Sequence, residues 1–341
     1  MASSTKRVSL ALFVLLFTSA TVQSEPLRLN HIQVIGTHNS YHVAPQEWVM
    51  ETLQGVTREA DGWNYTHAPL DTQLERDVYN FELDLHPFEE AFEVMHVPIV
   101  DAGSTCPLFV DCLQTVYEWS TRNPKHIPIS FLLEFKIREA TLDGRPLKDL
   151  NEATLLLLEQ EILSVFPRER IITPDDVRGD SPTLTQAVQE RGWPLLAESL
   201  GRVFFVIHNR SGLRAAYTET RPSLEGRLMF VNSATDRDDC AFIVVDNPYS
   251  ERIPDYLQKG IMIRVRADSG LRQGRSGDVS RRDAAFACGA QIISTDFPTG
   301  EAHPDTGYVV KFPGAQPVRC NPRYSPTDCE EQLKRILSGK Q

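Results

Sequence analysis

Short, continuously apolar runs recur from one end of the chain to the other, and they constrain its fold more than any other feature. Eight are evident, and Phe242 to Asp246 is a ninth candidate. The eight are Ile32 to Gly36, Asn80 to Leu85, Phe92 to His96, Ile129 to Phe135, Val203 to His208, Leu228 to Asn232, Ile261 to Arg266 and Gln291 to Asp296. Helix-like stretches lie between many of them, as at Leu108 to Trp119, Asn151 to Phe166 and Thr183 to Gln189. Continuous rather than alternating hydrophobicity favours a parallel sheet that is covered on both faces.

Eight such strand and helix units over this length predict an α/β fold, a TIM-type (β/α)8 barrel in a single domain. We expect the barrel to be irregular around the second and third strands, where the helix between is missing or very short. A doubly wound open sheet is the alternative, but no GxGxxG motif follows the first strand. We assign residues 25–312 to the barrel and residues 313–341, which contain Pro and Cys, to a tail packed on it.

The N-terminus has the layout of a secretory signal peptide. Lys6 and Arg7 precede an apolar run from Val8 to Phe17, and small or polar residues continue to Ser24. The run is too short to span a bilayer, so we expect residues 1–24 to be removed and the protein to be secreted, or periplasmic in a bacterium. An N-terminal helix packed on the body is the alternative. We expect no transmembrane segment in the remainder.

The surface charge limits the partners. The formal net charge is −11 at pH 7, and loss of Lys6 and Arg7 with the signal would make it −13. Such a surface repels phosphate backbones, which argues against a nucleic-acid partner. It also lacks any general attraction to anionic lipid, so a lipid contact has to be local and transient. We expect a monomer.

The six cysteines predict disulfides, because their number is even and the chain carries an export signal. Pairs that close short loops are favoured, Cys106 with Cys112 and Cys320 with Cys329, which leaves Cys240 for Cys288. The sequence itself allows fifteen pairings. A zinc site is the rival interpretation, but no CxxC spacing supports it.

Polar residues that close a strand are informative, since the carboxyl ends of the strands form the active-site face of a barrel. Such residues occur on six of the predicted strands: His38 and Asn39, Glu82 and Asp84, His96, Glu134, Arg264 and Arg266, and Asp296.

The acidic residues in this set predict a metal site. Glu82 and Asp84 are two residues apart on a strand, so both side chains point to one face and into the barrel mouth. Two converging carboxylates repel each other unless a cation or a proton holds them together. With Glu134 and the amide oxygen of Asn39 they make an all-oxygen ligand set, which suits Ca²⁺ or Mg²⁺ and not zinc. Ca²⁺ is favoured over Mg²⁺ because we expect the protein to be exported. The alternative to a metal site is that these carboxylates form salt bridges or are solvated at the strand ends.

The two strand-end histidines predict acid–base chemistry. A lone His at a strand end is more often structural, but His38 and His96 flank the predicted cation set. We give the other histidines a structural role. Among them His42 imitates a zinc-binding spacing with His38, but the segment follows a strand and lacks the HExxH glutamate.

Several motifs together resemble the calcium-dependent phosphoinositide phospholipases C of the bacterial and fungal type, within a wider superfamily of barrel phosphodiesterases. They are "IGTHNSYH", "FELDLH", "VMHVP", "LLEFK", "RVRAD" and "RRDAAFACGAQIISTDFP", which lie between about Ile32 and Pro298. The resemblance implies a TIM-type barrel that cleaves phosphatidylinositol to diacylglycerol and an inositol phosphate through a 1,2-cyclic intermediate. It implies that His38 and His96 are the catalytic pair and that Asn39, Glu82, Asp84 and Glu134 bind Ca²⁺.

The resemblance also implies subsidiary roles. Arg264 and Arg266 are expected near the inositol or phosphate by their position, and Asp296 closes the family-like "STDFP". The animal enzymes carry lysines on the fifth strand for extra ring phosphates, whereas this chain has "VFFVIHN" there. Unphosphorylated phosphatidylinositol, met transiently at a membrane surface, is therefore the expected substrate.

Displacement of an alcohol from a phosphodiester needs a base, an acid and compensation for phosphate charge. We assign His96 as the acid and His38 as the base or phosphate stabiliser, with Glu82 or Glu134 as alternative bases. A glycerophosphodiesterase or sphingomyelinase-D-like enzyme is a rival, although "THNS" replaces the "HRG" expected there. A secreted inositol-lipid or glycan binding protein without turnover is a rival of another class.

Overall fold

The computed structural model describes residues 25–210 and 212–339, so the predicted signal peptide lies outside the described residues. Its ten strands are β1 Ile32–Thr37, β2 Val78–Pro87, β3 Phe92–Val94, β4 Ile129–Phe135, β5 Val203–Ile207, β6 Phe230–Val231, β7 Phe242–Val244, β8 Met262–Arg266, β9 Ile292–Thr295 and β10 Arg319–Cys320. Its α-helices are α1 Glu47–Gln54, α2 Leu70–Leu74, α3 Phe109–Arg122, α4 Ile137–Ala140, α5 Glu152–Val165, α6 Pro174–Arg178, α7 Leu184–Glu190, α8 Leu196–Ser199, α9 Gly212–Thr218, α10 Ile253–Gln258, α11 Arg272–Ser276, α12 Ser280–Ala287 and α13 Cys329–Ser338. Short 3₁₀ helices occupy Leu29–His31, Arg58–Trp63, Arg168–Arg170 and Pro313–Ala315.

Eight of the strands form a parallel barrel. Their order is β6-β5-β4-β2-β1-β9-β8-β7, and each neighbouring pair is parallel. A single parallel bridge between Asn232 and Phe242 joins β6 to β7 and nearly closes the sheet on itself. The predicted TIM-type barrel is confirmed, and helices α3, α5 and α7 form where the sequence predicts them.

One predicted strand is not part of the barrel. β3 pairs antiparallel with the end of β2, Leu85 opposite Val94, and the ninth candidate run supplies barrel strand β7 instead. A parallel partner needs a crossover of about a dozen residues. The four residues between Pro87 and Phe92 permit only a hairpin-like return. His96 therefore reaches the site from a loop after this return, and not from the carboxyl end of a barrel strand.

The alternation within β2 explains how apolar strands carry polar residues. Phe81 and Leu83 on one face are fully buried, and Phe81 packs beside Phe131 with ring centroids 5.9 Å apart. Glu82 and Asp84 share the other face. Apolar side chains thus fill the space under the helices while the inner face of the strand supplies the site.

The C-terminal tail contacts the first strand of the barrel. β10 pairs antiparallel with the start of β1, Cys320 opposite Ile32, and a disulfide joins Cys320 to Cys329 at the start of α13. In the described part of the chain, no helix is both long and apolar enough to cross a membrane.

Two predicted disulfides are confirmed, Cys106 with Cys112 and Cys320 with Cys329. The third is wrong, because Cys240 and Cys288 are both free thiols. Cys240 is buried with Ile243 and Ile261, whereas Cys288 packs against a different apolar cluster. The two thiols remain unpaired because they pack in separate apolar clusters, which the lengths of the loops do not reveal.

We expect alkylation of the denatured, unreduced protein to modify two thiols, since only Cys240 and Cys288 are free among the described cysteines. Mass spectrometry of the intact chain measures the number, and reduction before alkylation should raise it to all six cysteines. A Cys240→Ser variant should lose one label. An unreduced chain that takes up no label would show that these two cysteines do form a disulfide.

Candidate active site

Strand register brings the predicted site residues to one end of the barrel. In the parallel pair β2 and β4, Asp84 lies opposite Glu134. β1 pairs with β9, so that Thr37 lies opposite Thr295 and the residues that follow, His38 and Asp296, are neighbours. Sequence-distant polar side chains therefore meet because the strands are parallel and end at the same edge.

His38 is held by a buried carboxylate. Its Nδ1 lies 2.9 Å from Oδ1 of Asp296, and Arg266 donates from Nη2 to the other Asp296 oxygen at 2.8 Å. Burial would raise the pKa of Asp296, but Arg266 and His38 hold that pKa below its usual range. Burial, and then the charge of Arg266, lower the pKa of His38. The imidazole is thus kept neutral with Nδ1 occupied, which leaves Nε2 as the nitrogen that can accept a proton.

His96 has a similar support that the sequence did not predict. Its Nδ1 lies 2.6 Å from Oδ2 of Asp101, a residue that is 1% exposed. His42 lies on the other side of this carboxylate, with Nε2 2.8 Å from Oδ1, and its own Nδ1 donates to the Tyr65 carbonyl at 2.9 Å. Burial would raise the pKa of Asp101, but the hydrogen bonds from His42 and His96 lower it. Asp101 is therefore an ionised carboxylate placed to stabilise positive charge on His96.

Asn39 and Asp84 carry the clearest sign of a cation. The buried Oδ1 of Asn39 and both carboxylate oxygens of Asp84 lack a hydrogen-bond partner within the described residues. Burial raises the pKa of Asp84 to about 7 although Lys136 opposes the shift. Buried oxygens without donors are costly unless a cation satisfies them. These residues fit Ca²⁺, which prefers carboxylate and carbonyl oxygens.

The backbone holds Asn39 in a rare conformation. Its φ is 45°, in the left-handed region that non-glycine residues seldom adopt. His67 fixes the preceding carbonyl, with Nε2 3.1 Å from the oxygen of His38, and Nδ1 of the same ring lies 2.5 Å from Glu301. The position of the Asn39 amide is therefore set by residues far from it in sequence.

The remaining two predicted ligands already have cationic neighbours. Glu82 forms a buried ion pair with Arg264, which lowers the pKa of Glu82 although burial opposes it. Glu134 lies 3.2 Å from Nζ of Lys136 and 3.4 Å from Nδ1 of His208. Glu82, Glu134 and His208 can each bring one ligand atom within 4.8 Å of the others.

Lys136 directly follows β4, and its ammonium group lies near carboxylates of both β2 and β4. Besides Glu134 it contacts Asp84, with Nζ 3.4 Å from Oδ2. A bound divalent cation would compete with this ammonium for the same oxygens. Lys136 follows Glu134 by two residues and so shares its face, which is the signal by which sequence alone could have found it.

The two predicted substrate-binding arginines are both engaged within the protein. Arg264 is buried between Glu82 and Asp246, and Arg266 binds Asp296. The structure thus places them behind Glu82 and His38, where they balance charge. Sequence reasoning missed Asp101, His42 and His208; of these only His208, at the end of β5, had a strand-end signal.

A parallel barrel whose mouth combines two carboxylate-supported imidazoles with unsatisfied carboxylate and amide oxygens defines a class of enzyme that combines acid–base and metal-ion chemistry. A sequence model of one family, described as phosphoinositide phospholipase C, Ca²⁺-dependent, matches residues 27–91 and 88–322. The chain belongs to this family of calcium-dependent phosphodiesterases.

Solved structures share the fold. A calcium-dependent phosphatidylinositol-specific phospholipase C from Streptomyces antibioticus is 16% identical with a TM-score of 0.57, and the match covers 79% of this chain and 95% of that one. A myo-inositol complex of the corresponding enzyme from a Pseudomonas species is also 16% identical, with a TM-score of 0.56 and coverage of 87% and 96%. A search of curated proteins found no match.

Proposed function

We propose that this protein is an exported phospholipase C that cleaves phosphatidylinositol to diacylglycerol and inositol 1,2-cyclic phosphate with His38 and His96 as its acid–base pair. The observation that carries the proposal is the pair of imidazoles at the barrel mouth, each with a buried carboxylate at Nδ1. This arrangement fixes both rings and leaves Nε2 of each for the substrate.

His38 is the better base. Its lowered pKa keeps it neutral at pH 7, whereas Glu82 is bound to Arg264 and Glu134 lies beside Lys136 and His208. We therefore assign removal of the inositol 2-hydroxyl proton to Nε2 of His38. Asp296 receives the Nδ1 hydrogen bond and stabilises the imidazolium that results.

His96 is the acid. Asp101 holds the ring through Nδ1, and Nε2 of His96 is assigned to donate the proton to the diacylglycerol oxygen as the bond to phosphorus breaks. The 2-hydroxyl oxygen forms the new bond to phosphorus, so the products are diacylglycerol and the cyclic phosphate. A water molecule that enters after diacylglycerol leaves could open the ring by the reverse use of the two histidines.

Asn39, Asp84, Glu82 and Glu134 are the residues proposed to hold calcium. When bound there, the ion supplies positive charge against the phosphate oxygens and lowers the cost of the charge that develops on them. Asp84 supplies two oxygens and Asn39 one that lack a hydrogen-bond partner among the described residues, although Nζ of Lys136 lies 3.4 Å from Oδ2 of Asp84. The carboxylates of Glu82 and Glu134 also repel the phosphate unless the cations around them remain in place.

We further propose that residues 1–24 are a signal peptide, that residues 25–312 form the catalytic barrel with residues 313–341 as its tail, and that the protein acts as a monomer. The contact with the membrane is transient, since the predicted charge of the processed chain is strongly negative. The lack of lysines on the fifth strand supports unphosphorylated phosphatidylinositol as the preferred substrate.

Product analysis of purified residues 25–341 tests this function. Phosphatidylinositol, glycerophosphoinositol and sphingomyelin are supplied in parallel with Ca²⁺ or with EGTA. We expect calcium-dependent release of diacylglycerol and cyclic inositol phosphate from phosphatidylinositol alone. Folded, calcium-loaded protein that releases choline or glycerol phosphate instead would identify a different phosphodiesterase, and absence of any turnover would favour a binding protein.

A further inference from the structure

A buried histidine outside the catalytic pair holds the turn that carries both the proposed base and a proposed calcium ligand. His67 is 1% exposed, and its Nε2 lies 3.1 Å from the carbonyl oxygen of His38. This carbonyl belongs to the peptide group that joins His38 to Asn39. One hydrogen bond therefore acts on a peptide that has the base on one side and the calcium ligand on the other.

Both ring nitrogens of His67 face oxygens that accept hydrogen bonds. Nδ1 lies 2.5 Å from Oε2 of Glu301, while Nε2 faces the carbonyl of His38. A neutral imidazole has a single N–H group, so it would turn a nitrogen lone pair toward one of these two oxygens. Only an imidazolium donates from both nitrogens. The geometry thus indicates that the buried His67 ring carries two protons and a positive charge.

Glu301 is placed to remain ionised opposite this ring. Its other carboxylate oxygen, Oε1, accepts from the backbone N–H of Ala68 at 2.9 Å and lies 3.2 Å from Nη1 of Arg76. Burial would raise the pKa of Glu301, but the hydrogen bond with His67 and then the charge of that ring lower it. Donors on both oxygens favour the charged carboxylate. The proton between the two side chains therefore belongs to His67.

The turn after β1 needs external support. Asn39 has a φ of 45°, and a conformation of this kind persists only when the surrounding structure holds it. The carbonyl of Asn39 accepts from the backbone N–H of His42 at 2.8 Å, and that of Ser40 accepts from Nε2 of Gln73 at 2.7 Å. These two donors are uncharged. Of the three successive carbonyls, that of His38 is the one bound by a charged side chain.

The charge of His67 also acts on the carboxylate that supports the base. Burial would raise the pKa of Asp296, whereas the charges of Arg266 and His38, and then that of His67, lower it. Asp296 lies 2.9 Å from Nδ1 of His38. His67 therefore acts on His38 at two points, through its carbonyl and through the carboxylate at its ring.

We propose that His67 and Glu301 form a charged positioning pair, in which the His67 imidazolium fixes the peptide between His38 and Asn39 and so sets the base and the calcium ligand together; this inference rests on the proposed function. Both ring nitrogens of His67 are taken up within the protein, so it is a positioning residue and not a catalytic one. Groups that hold a metal ligand in place typically contribute about tenfold to a hundredfold to metal affinity or activity. Loss of the bond to His38 should therefore weaken calcium binding and turnover together.

Two substitutions of His67 separate its two hydrogen bonds. The side chain of glutamine is long enough for its amide to donate to the His38 carbonyl in place of Nε2. The shorter asparagine reaches only toward Glu301, in place of Nδ1. His126→Gln is the matched control, because His126 is also buried and hydrogen-bonded through both nitrogens but precedes β4, at the end of the barrel opposite the site.

Each protein is measured in four ways at pH 7. Long-range proton–nitrogen spectra of ¹⁵N-histidine-labelled protein report on the His67 ring, since an imidazolium gives two similar nitrogen shifts and a neutral ring two very different ones. Labelling of histidine carbonyls with ¹³C and of asparagine nitrogens with ¹⁵N selects the peptides His38–Asn39 and His208–Asn209, the only His-Asn pairs in the sequence. Calorimetric titration gives the calcium affinity, and assays on phosphatidylinositol vesicles give kcat.

We expect two similar nitrogen shifts for the wild-type His67 ring. His67→Asn should shift the His38–Asn39 signal and lower both calcium affinity and kcat about tenfold or more. His67→Gln and His126→Gln should keep that signal, the calcium affinity and kcat close to those of the wild type, even where they lower Tm.

A His67 ring with a single proton would overturn the charged pair. A His67→Asn variant with the calcium affinity and the His38–Asn39 signal of the wild type would overturn the positioning role, as would equal losses in both His67 variants. A wild type that neither binds calcium nor cleaves phosphatidylinositol would refute the proposed function instead. The two kinds of spectra, recorded on the ion-free proteins, would still decide the role of His67.

Discussion

Replacement of His96 by alanine is expected to lower kcat on phosphatidylinositol by about a hundred- to ten-thousand-fold, the contribution of one positioned acid or base. The reason is that His96 alone is proposed to protonate the diacylglycerol oxygen. KM should change little, because the acid acts only as the bond to phosphorus breaks and is not needed for the substrate to bind. Steady-state kinetics on vesicles measures both parameters, and replacement of His38 should have an effect of similar size.

Variants of the supporting carboxylates separate catalysis from folding. Asp101→Asn keeps the size of the side chain but removes the charge that stabilises imidazolium at His96, so its kcat should also fall while the fold remains. The phosphatidylinositol analogue with a good leaving group, such as a thiol or a nitrophenol in place of diacylglycerol, offers a sharper readout. Such a substrate needs no acid, so the kcat of His96→Ala and of Asp101→Asn on it should be close to that of the wild type. The kcat of His38→Ala should stay low on this substrate as well. Failure of this selective recovery would contradict the assignment of His96 as the acid.

Removal of calcium is expected to reduce turnover at least about a hundredfold, the effect typical of losing one group that stabilises charge in the transition state. The variant Asp84→Asn, which lacks a proposed calcium ligand, is expected to show a loss of the same size. Asp84 is the decisive ligand because both of its buried oxygens lack hydrogen-bond partners among the described residues. Calorimetric titration with Ca²⁺ should show binding by the wild type and weak or no binding by the variant. Glu134→Gln is the matched comparison. It should weaken binding less, since both Lys136 and His208 contact the Glu134 carboxylate, whereas of these two only Lys136 lies near the Asp84 carboxylate.

The ion-free protein supplies a control for folding. Burial raises the pKa of Asp84 to about 7, above its value in an unfolded chain, so this carboxylate destabilises the ion-free fold as the pH rises toward 7. Asp84→Asn should therefore not lower the Tm of the ion-free protein at neutral pH. By the same argument protons compete with calcium below pH 7, and wild-type calcium affinity should fall as the pH is lowered. A calcium affinity that does not change across this range would contradict the role of Asp84.

The local pattern of apolar residues was enough to predict much of the fold. The strand β4 begins and ends at the predicted residues, Ile129 and Phe135, and eight runs of this kind with helices between them are enough to indicate a barrel. The same pattern failed for β3 because continuous hydrophobicity records burial, not the direction of the neighbouring strand. The connection from Pro87 to Phe92 decides this direction, because four residues are too few for a parallel crossover.

Much of the candidate site was also accessible from sequence. Residues such as Glu82, Asp84 and Glu134 interrupt apolar strands, and a buried charge in such a place needs a partner. Lys136 could have been found in the same way. Asp101 could not, because nothing in a loop sequence shows that its carboxylate reaches back to His96 or that His42 lies on its other side.

The sequence by itself determined which segments are strands, that they form a parallel barrel, and which polar side chains lie at its mouth, because these properties follow from hydrophobic periodicity and the alternation of side chains. Only the tertiary structure decided that β7 and not β3 completes the barrel, that Asp101 and Asp296 support the two histidines, and that Cys240 and Cys288 remain unpaired. These outcomes depend on distances between residues far apart in the chain. Such distances are set by how the strands, loops and apolar clusters pack together, and no local pattern records them.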